Sequence, residues 1–306
     1  MGPPAPRRSP GPLFLRMTDL WTPLKLIAWT QAYFARAGVD APRLTAELLL
    51  AHALSCDRVR LYLDFDKPLG ASELARFRAL VKRRAEGEPT AYLTGEKEFC
   101  GHRFRVDARA LVPRPETELL VEAARALLPR GGAALDLCTG TGCVAVALAL
   151  AREDALVAAT DLSPEALALA RENALRLGAR LDFFPGDLFE ALPETLRFDV
   201  VVANPPYVPT GELALLAREV RREPALALDG GEDGLGVASR IVRGAPARLR
   251  PLGALVLEMH ESHLERLPAL CLEAGFAEVE ARRDLAGLPR LVVARLGERG
   301  REGPPG

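Results

Sequence analysis

Residues 133–151 read AALDLCTGTGCVAVALALA. An apolar run of strand length, Ala133–Leu137, passes through a glycine-bearing turn into an apolar helix from about Val144 to Ala151. A strand delivered into a helix in this way opens a parallel α/β sheet flanked by helices. The alternation continues downstream. Strands are expected at Leu156–Thr160, Leu181–Phe184, Phe198–Ala203, Ala254–Met259, Ala277–Ala281 and Leu291–Ala294, and helices at about Pro164–Leu177, Gly236–Leu249 and His263–Ala274. Ser163 is placed to cap the helix that Pro164 begins and Gly178 ends. The last two strands lie close enough in sequence to pair antiparallel at an edge.

Upstream the character changes. Residues 17–87 read as a helical bundle. Thr22 and Pro23 form a start signal and Gly38 stands at the matching end, with Leu26, Ile27, Trp29, Tyr33 and Phe34 between them roughly on one face. Further helices are expected at about Asp40–Leu54, with Leu44, Leu48, Leu49 and Ala51 apolar, then at Arg58–Leu63 and Ser72–Ala85. Residues 88–112 read as a hairpin and linker. Pro113-Arg114-Pro115-Glu116-Thr117-Glu118 then opens a helix to Leu128, with Thr117 or Glu116 as cap. Residues 1–16 and 297–306 read as tails, the first Pro-rich and basic without the apolar core of a signal peptide, and Met17 is an alternative start.

At 306 residues the chain is long enough for about two domains. No apolar run approaches the roughly 20 residues that span a bilayer. The five cysteines are scattered without a CxxC pair and the four histidines form no HExxH-like cluster, so reduced thiols, a cytoplasmic protein and no metal site are expected. The net charge of −1 is uneven. Residues 17–87 carry 11 basic and 8 acidic side chains, and residues 88–306 carry 26 and 33, a balance of −7. An acidic second half disfavours a DNA partner, which needs clustered Lys and Arg.

Four strand ends each offer a ligand group on the carboxyl edge, where open α/β sheets bind ligands. The first carries Cys138, Thr139, Gly140, Thr141 and Gly142, where glycines let a backbone approach a ligand at a helix N-terminus. The second carries Asp161, at the spacing of a ribose-binding carboxylate. The third carries Asp187, within reach of an adenine amino group, and Phe189, which could lie against the base. NAD fits the loop alone, but no hydride-transfer site accompanies it.

The fourth carries Asn204-Pro205-Pro206-Tyr207. Two prolines remove two N–H donors and fix two φ angles, giving a stiff corner with outward carbonyls, the Asn204 amide and a flat ring. Such a corner suits a planar NH2 group, because two oxygens can accept its two N–H bonds. The acid-rich stretch 208–236 could be a lid over it. An adenine amino group presents the same NH2 as a side-chain amide, so the corner alone does not separate the two.

From about residue 20 to 295 the chain resembles class I methyltransferases that use S-adenosyl-L-methionine, and within them the peptide-chain release factor glutamine methyltransferases. The resemblance rests on Pro89–Leu93 with Gly95 and Glu98-Phe99, on Val112–Glu118, on Asp136–Gly142, Asp161 and Asn204–Tyr207, and on Glu223-Pro224 with Ala227-Leu228 and Gly230-Gly231. It implies a Rossmann-like, mostly parallel sheet with an N-terminal helical domain that helps hold a release factor, the methyltransferase domain covering residues 113–296. It implies methyl transfer to the glutamine nitrogen of the release factor's Gly-Gly-Gln motif. By the same likeness residues 138–142, Asp161 and Phe189 would contact the cofactor and Asn204–Tyr207 the glutamine. Cys138 departs from the family's usual glycine, which implies a φ below zero there. Phe189 stands where some relatives have Trp. Two rival readings stand beside this one: an adenine-N6 nucleic-acid methyltransferase, since adenine offers the same NH2, and a non-catalytic module binding release factor or ribosome.

Overall fold

The computed structural model describes residues 20–263, 265–284 and 287–298; both proposed tails and Met17 lie wholly or largely outside these. The chain divides into a unit ending at Thr94 and one beginning at Gly95.

The first unit holds α1 (Pro23–Arg36), α2 (Pro42–Leu54), α3 (Arg58–Leu63), α4 (Ala71–Ala85) and α5 (Thr90–Thr94). Leu26, Ile27 and Phe34 of α1 meet Leu49 and Leu50 of α2 and Phe77 and Val81 of α4 in one core. Leu44 and Leu48 instead remain 42% and 36% exposed. The helical unit runs past residue 87 because α5 inserts Leu93 into that core. A five-residue helix carries too little periodicity to be seen in sequence, so the stretch expected as hairpin and linker is split between the units.

The second unit opens with a hairpin, β1 (Glu96–Phe99) and β2 (His102–Arg105), then α6 (Glu118–Leu127). The main sheet follows: β3 (Ala133–Leu137), α7 (Cys143–Ala151), β4 (Leu156–Asp161), α8 (Pro164–Leu177), β5 (Asp182–Pro185), β6 (Phe198–Ala203), α9 (Gly236–Gly244), β7 (Leu249–Glu258), α10 (Leu267–Glu273), β8 (Glu278–Arg283) and β9 (Pro289–Arg295). The strand order is β5-β4-β3-β6-β7-β9-β8, parallel as far as β7. β9 runs antiparallel between β7 and the edge strand β8.

Alternation along the strands divides the core into two faces. Leu135, Val201 and Leu255 pack with α9 and α10, while Ala134, Val200, Val202 and Val256 pack with α6 and α7. Residues 143–149 of α7 are buried on every side, as its unbroken apolar sequence requires. Ser163 Oγ accepts from Ala166 N at 3.1 Å and Gly178 closes α8 at φ 75°. Two helices stop short of their expected ends. α9 ends at Gly244, just before Pro246, and α10 begins only at Leu267, where Pro268 can occupy the first turn. Among the described residues, no helix is long and apolar enough to cross a membrane.

Candidate active site

The carboxyl ends of β3, β4 and β6 converge on a cavity of about 250 Å³. Cys138, Thr139, Gly140 and Thr141 form its floor, with Asp161 and Asp187 from the next two strand ends and Asn204 and Pro206 opposite. Gly142 is not among the lining residues. It sits at φ 78° with Ala170 so close that an added Cβ would lie 2.9 Å from the alanine's own, so it serves close packing of the loop on α8.

The loop is braced by carboxylates. Gly140 N donates to Asp161 Oδ2 at 2.8 Å and Ser163 N to Oδ1 at 2.9 Å. Asp136, buried beneath, accepts from the Thr139 hydroxyl at 2.6 Å and from Ala145 N at 3.2 Å. Burial pushes the Asp136 carboxyl up to about 7 and raises Asp161 as well. Burial, with Asp161 and Asp136 nearby, raises the Cys138 thiol, so it stays protonated.

Two expectations are corrected. Cys138 lies at φ 58°, in the left-handed region, because the chain must turn sharply out of β3 into the glycine loop. The Cβ is tolerated there, not accommodated by a change of backbone. Phe189 does not line the cavity; Leu188 does. Leu188 takes φ 49°, which sends the following residue the other way, and the Phe189 ring packs against Gly244, where a Cβ would approach it to 2.7 Å. The Asp187 carboxylate is met by Arg240, whose Nη2 donates to Oδ2 at 2.8 Å. The sequence held no signal for Arg240.

A second cavity of about 410 Å³ lies behind the proline corner, with Pro205, Tyr207, Leu216 and His260 in its walls. His260 stands 6.3 Å from the Tyr207 ring, centroid to centroid. Asn204 lines both cavities, as do Leu111, Arg114 and Ala227. An amide at Asn204 can therefore touch ligands lodged on either side.

The stretch 208–236 is tied down rather than hanging free. Val208 and Gly230 exchange bonds with Leu228 and Val208 (Val208 N to Leu228 O 2.9 Å, Gly230 N to Val208 O 2.8 Å). Glu223, with a side chain only 1% exposed, accepts from Arg114 Nη2 at 2.6 Å and from Val112 N at 2.9 Å. Pro224 and Leu226 then form part of the first cavity, Leu216 and Val220 part of the second.

Thr117 heads α6 but makes no side-chain cap bond. Its hydroxyl accepts from Asn204, whose Nδ2 donates to Thr117 Oγ1 at 3.3 Å. Glu258, at the end of β7, is buried, and burial pushes its carboxyl up to about 7. The sequence announced no contact between Thr117 and Asn204, since Thr117 read as a helix cap.

The fold and the cavity at its strand ends define a Rossmann-like methyltransferase. A methyltransferase from Pyrococcus furiosus, of solved structure, shares the fold with a TM-score of 0.50, at 19% identity over 63% of this chain and 88% of its own. The methyltransferase small domain family matches residues 115–222, and the PrmC N-terminal domain family matches residues 25–95. The release factor glutamine methyltransferase of Geobacter sulfurreducens is 46% identical over 280 residues, covering 91% of this chain and 98% of its own. That of Deinococcus radiodurans is 45% identical over 275 residues, covering 88% and 97%. The chain belongs to the release factor glutamine methyltransferase family.

Proposed function

We propose that this chain methylates the side-chain amide nitrogen of the glutamine in the Gly-Gly-Gln motif of peptide-chain release factors, in the cytoplasm, using S-adenosylmethionine. The observation that carries the reading is Asn204 standing in the wall common to two cavities. The first cavity fits the methyl donor: a turn whose Gly140 adopts φ 56°, two carboxylates for hydroxyl and amino groups, and the apolar Leu188. The second takes the glutamine beside Tyr207.

When bound, S-adenosylmethionine supplies an electrophilic methyl on a sulfonium sulfur. The chain's part is positional and electrostatic. An amide nitrogen is a poor nucleophile because its lone pair is delocalised. Asn204 Oδ1 and the Pro205 carbonyl accept its two hydrogens and aim it across the shared wall. Methyl transfer would place positive charge on that nitrogen, and two fixed carbonyl dipoles would stabilise it. Alignment would supply much of the remaining acceleration. The methylated nitrogen would be strongly acidic and would pass its surplus proton to water without a strong base. Tyr207 packs on the amide plane.

The helical unit helps hold the release factor. Val59, Leu63 and Phe65, which are 67%, 68% and 49% exposed, offer it apolar surface. Val59→Asp with Leu63→Asp should then raise KM for the release factor and leave kcat within about twofold; an unchanged KM would remove this role.

The test is incubation with labelled S-adenosylmethionine and a release factor, followed by mass spectrometry of the tryptic peptides. Methyl on the Gly-Gly-Gln glutamine is expected. Asn204→Ala should lower the rate roughly 100-fold or more with cofactor affinity intact. Methyl on adenine of added nucleic acid, or no transfer at all, would overturn the reading.

A further inference from the structure

One face of α8 mounts two walls of the first cavity. Ala166, Leu169, Ala170 and Asn173 recur at helical spacing and share that face. Ala166 and Leu169 pack with Ala110, in the segment that leaves β2. Ala170 seats Gly142 of the cofactor turn. Glu172 accepts from Arg109 Nη1 at 2.7 Å and from Nη2 at 3.0 Å. Asn173, fully buried, completes the row.

The Asn173 amide bonds to the backbone of both walls. Its Oδ1 accepts from Arg105 N at 2.7 Å, and its Nδ2 donates to Arg105 O at 3.0 Å. These two bonds grip one residue's N–H and C=O as a neighbouring strand would. The second Nδ2 hydrogen goes to Thr141 O at 2.9 Å, in the turn that floors the cavity. The two edges of the amide cannot be exchanged. Nδ2 would then face the Arg105 N–H, and Oδ1 would face two carbonyls. A buried amide is costly unless its groups are satisfied, and here both donors and the acceptor are engaged. From Arg105 the chain reaches Ala110, whose Cβ lies 4.0 Å from where one on Gly140 would stand. It then supplies Leu111, Val112, Pro113 and Arg114 to the cavity wall. Asn173 is thus bonded to the floor on one side and to the root of that wall on the other.

We infer that Asn173 is a positioning residue for the methyl donor, which ties the Thr141 turn to the segment leading from Arg105 to Arg114 and so sets the gap the cofactor enters. The inference rests on the reading of the first cavity as the cofactor's.

The experiment compares Asn173→Asp with Val293→Ala in the full chain. Val293, on β9, is buried outside the cavity and serves as a control for loss of stability alone. Calorimetry gives S-adenosylmethionine affinity, steady-state kinetics give kcat and KM for release factor, and melting temperature checks folding. Aspartate keeps the shape and the acceptor for Arg105 N but loses both donors. Asn173→Asp should weaken cofactor affinity about 10-fold or more, because two buried carbonyls lose their partners beside the bound donor. Its kcat at saturating cofactor and its KM for release factor should stay within about threefold. Val293→Ala should leave cofactor affinity within about twofold. The wild-type chain supplies a measurement that no folding defect can spoil. Coupling between two sites is reciprocal, so added S-adenosylmethionine should slow hydrogen exchange at the Arg105 amide several-fold, although Arg105 is not in the cavity wall.

A folded Asn173→Asp chain that binds cofactor as wild type does, a Val293→Ala chain that loses as much affinity, or an Arg105 amide indifferent to cofactor overturns the inference. If the wild-type chain itself does not bind S-adenosylmethionine, the parent reading fails; if it binds and Asn173→Asp binds equally well, the clamp alone fails.

Discussion

Cys138 gives the sharpest test of the loop, because its backbone decides the sign of the effect. At φ 58° it occupies a region where a Cβ meets the following carbonyl. The penalty is roughly 1–2 kcal/mol relative to glycine. Replacing cysteine directly by glycine would mix that relief with loss of the sulfur's contacts on the core beneath α9. Comparing Cys138→Ala with Cys138→Gly removes the confusion, since both lack the sulfur. Glycine costs about 0.4–1 kcal/mol through the greater freedom of its unfolded chain. Subtracted from the strain relief, this leaves the glycine variant ahead of the alanine variant by about 0–1.6 kcal/mol, or about 0.8 kcal/mol at the centre of the two ranges. At an ordinary strand or helix position the order is reversed by a similar amount.

The assay is urea unfolding at equilibrium, followed by far-ultraviolet circular dichroism, with midpoints compared at equal m. Both tryptophans, Trp21 and Trp29, lie in the helical unit. Their fluorescence therefore supplies an internal control that should not move between the two variants. A difference of about 0.8 kcal/mol in the sheet unit corresponds to about 2–3 °C in melting temperature. An alanine variant more stable than the glycine variant, as at an ordinary position, would refute the left-handed backbone and restore the negative φ expected from sequence.

Three further outcomes follow from the same geometry. Asp136 titrates near 7 when folded against 3.8 when free, so the folded state holds its proton more tightly; its contribution is complete below about pH 4 and lost as pH rises through 7. Asp136→Asn, which still accepts from Thr139 and Ala145, should flatten the fall in stability between about pH 4 and 7, against a ceiling on the order of 4 kcal/mol for the three-unit shift; parallel melting-temperature profiles for the two proteins would contradict this. Glu223→Ala leaves Val112 N and Arg114 without their acceptor and should cost about 2–4 kcal/mol, loosen residues 208–236 to limited proteolysis and weaken S-adenosylmethionine binding; unchanged proteolysis would show that the strap does not hold the segment. Phe189→Ala should lower stability by about 2 kcal/mol with cofactor affinity within about threefold, because the ring packs on Gly244 and not on the cavity; a tenfold loss of affinity at unchanged stability would return Phe189 to the adenine.

The sheet was legible wherever the signal was local. α8 has the bounds that Ser163, Pro164 and Gly178 marked, and β6 matches its apolar run residue for residue. β7 begins five residues before the expected Ala254, because Pro251, Leu252 at φ 64° and Gly253 read as a turn while the strand passes through them with a shift in register against β6. Proline at a bulge is compatible with a strand but carries the same letters as a loop. The candidate site divides along the same line. Strand ends could be found one by one, since each ends an apolar run. Whether Leu188 or Phe189 faces the cavity turns on one positive φ, which an unexceptional leucine does not advertise.

The Thr117 contact shows why the rest was hidden. Thr117, at the head of α6, and Asn204, at the end of β6, stand 87 residues apart. Each has a sufficient local explanation, as cap or as corner residue. Only the packing of α6 on one face of the sheet, with Leu120 and Val121 in one core with Val200 and Val202, brings the two together. A local explanation that suffices in one dimension is thus not evidence that it operates in three. The missing cap bond at Thr117 is where its local explanation fails, and that failure, more than the motif letters, marks its contact with Asn204.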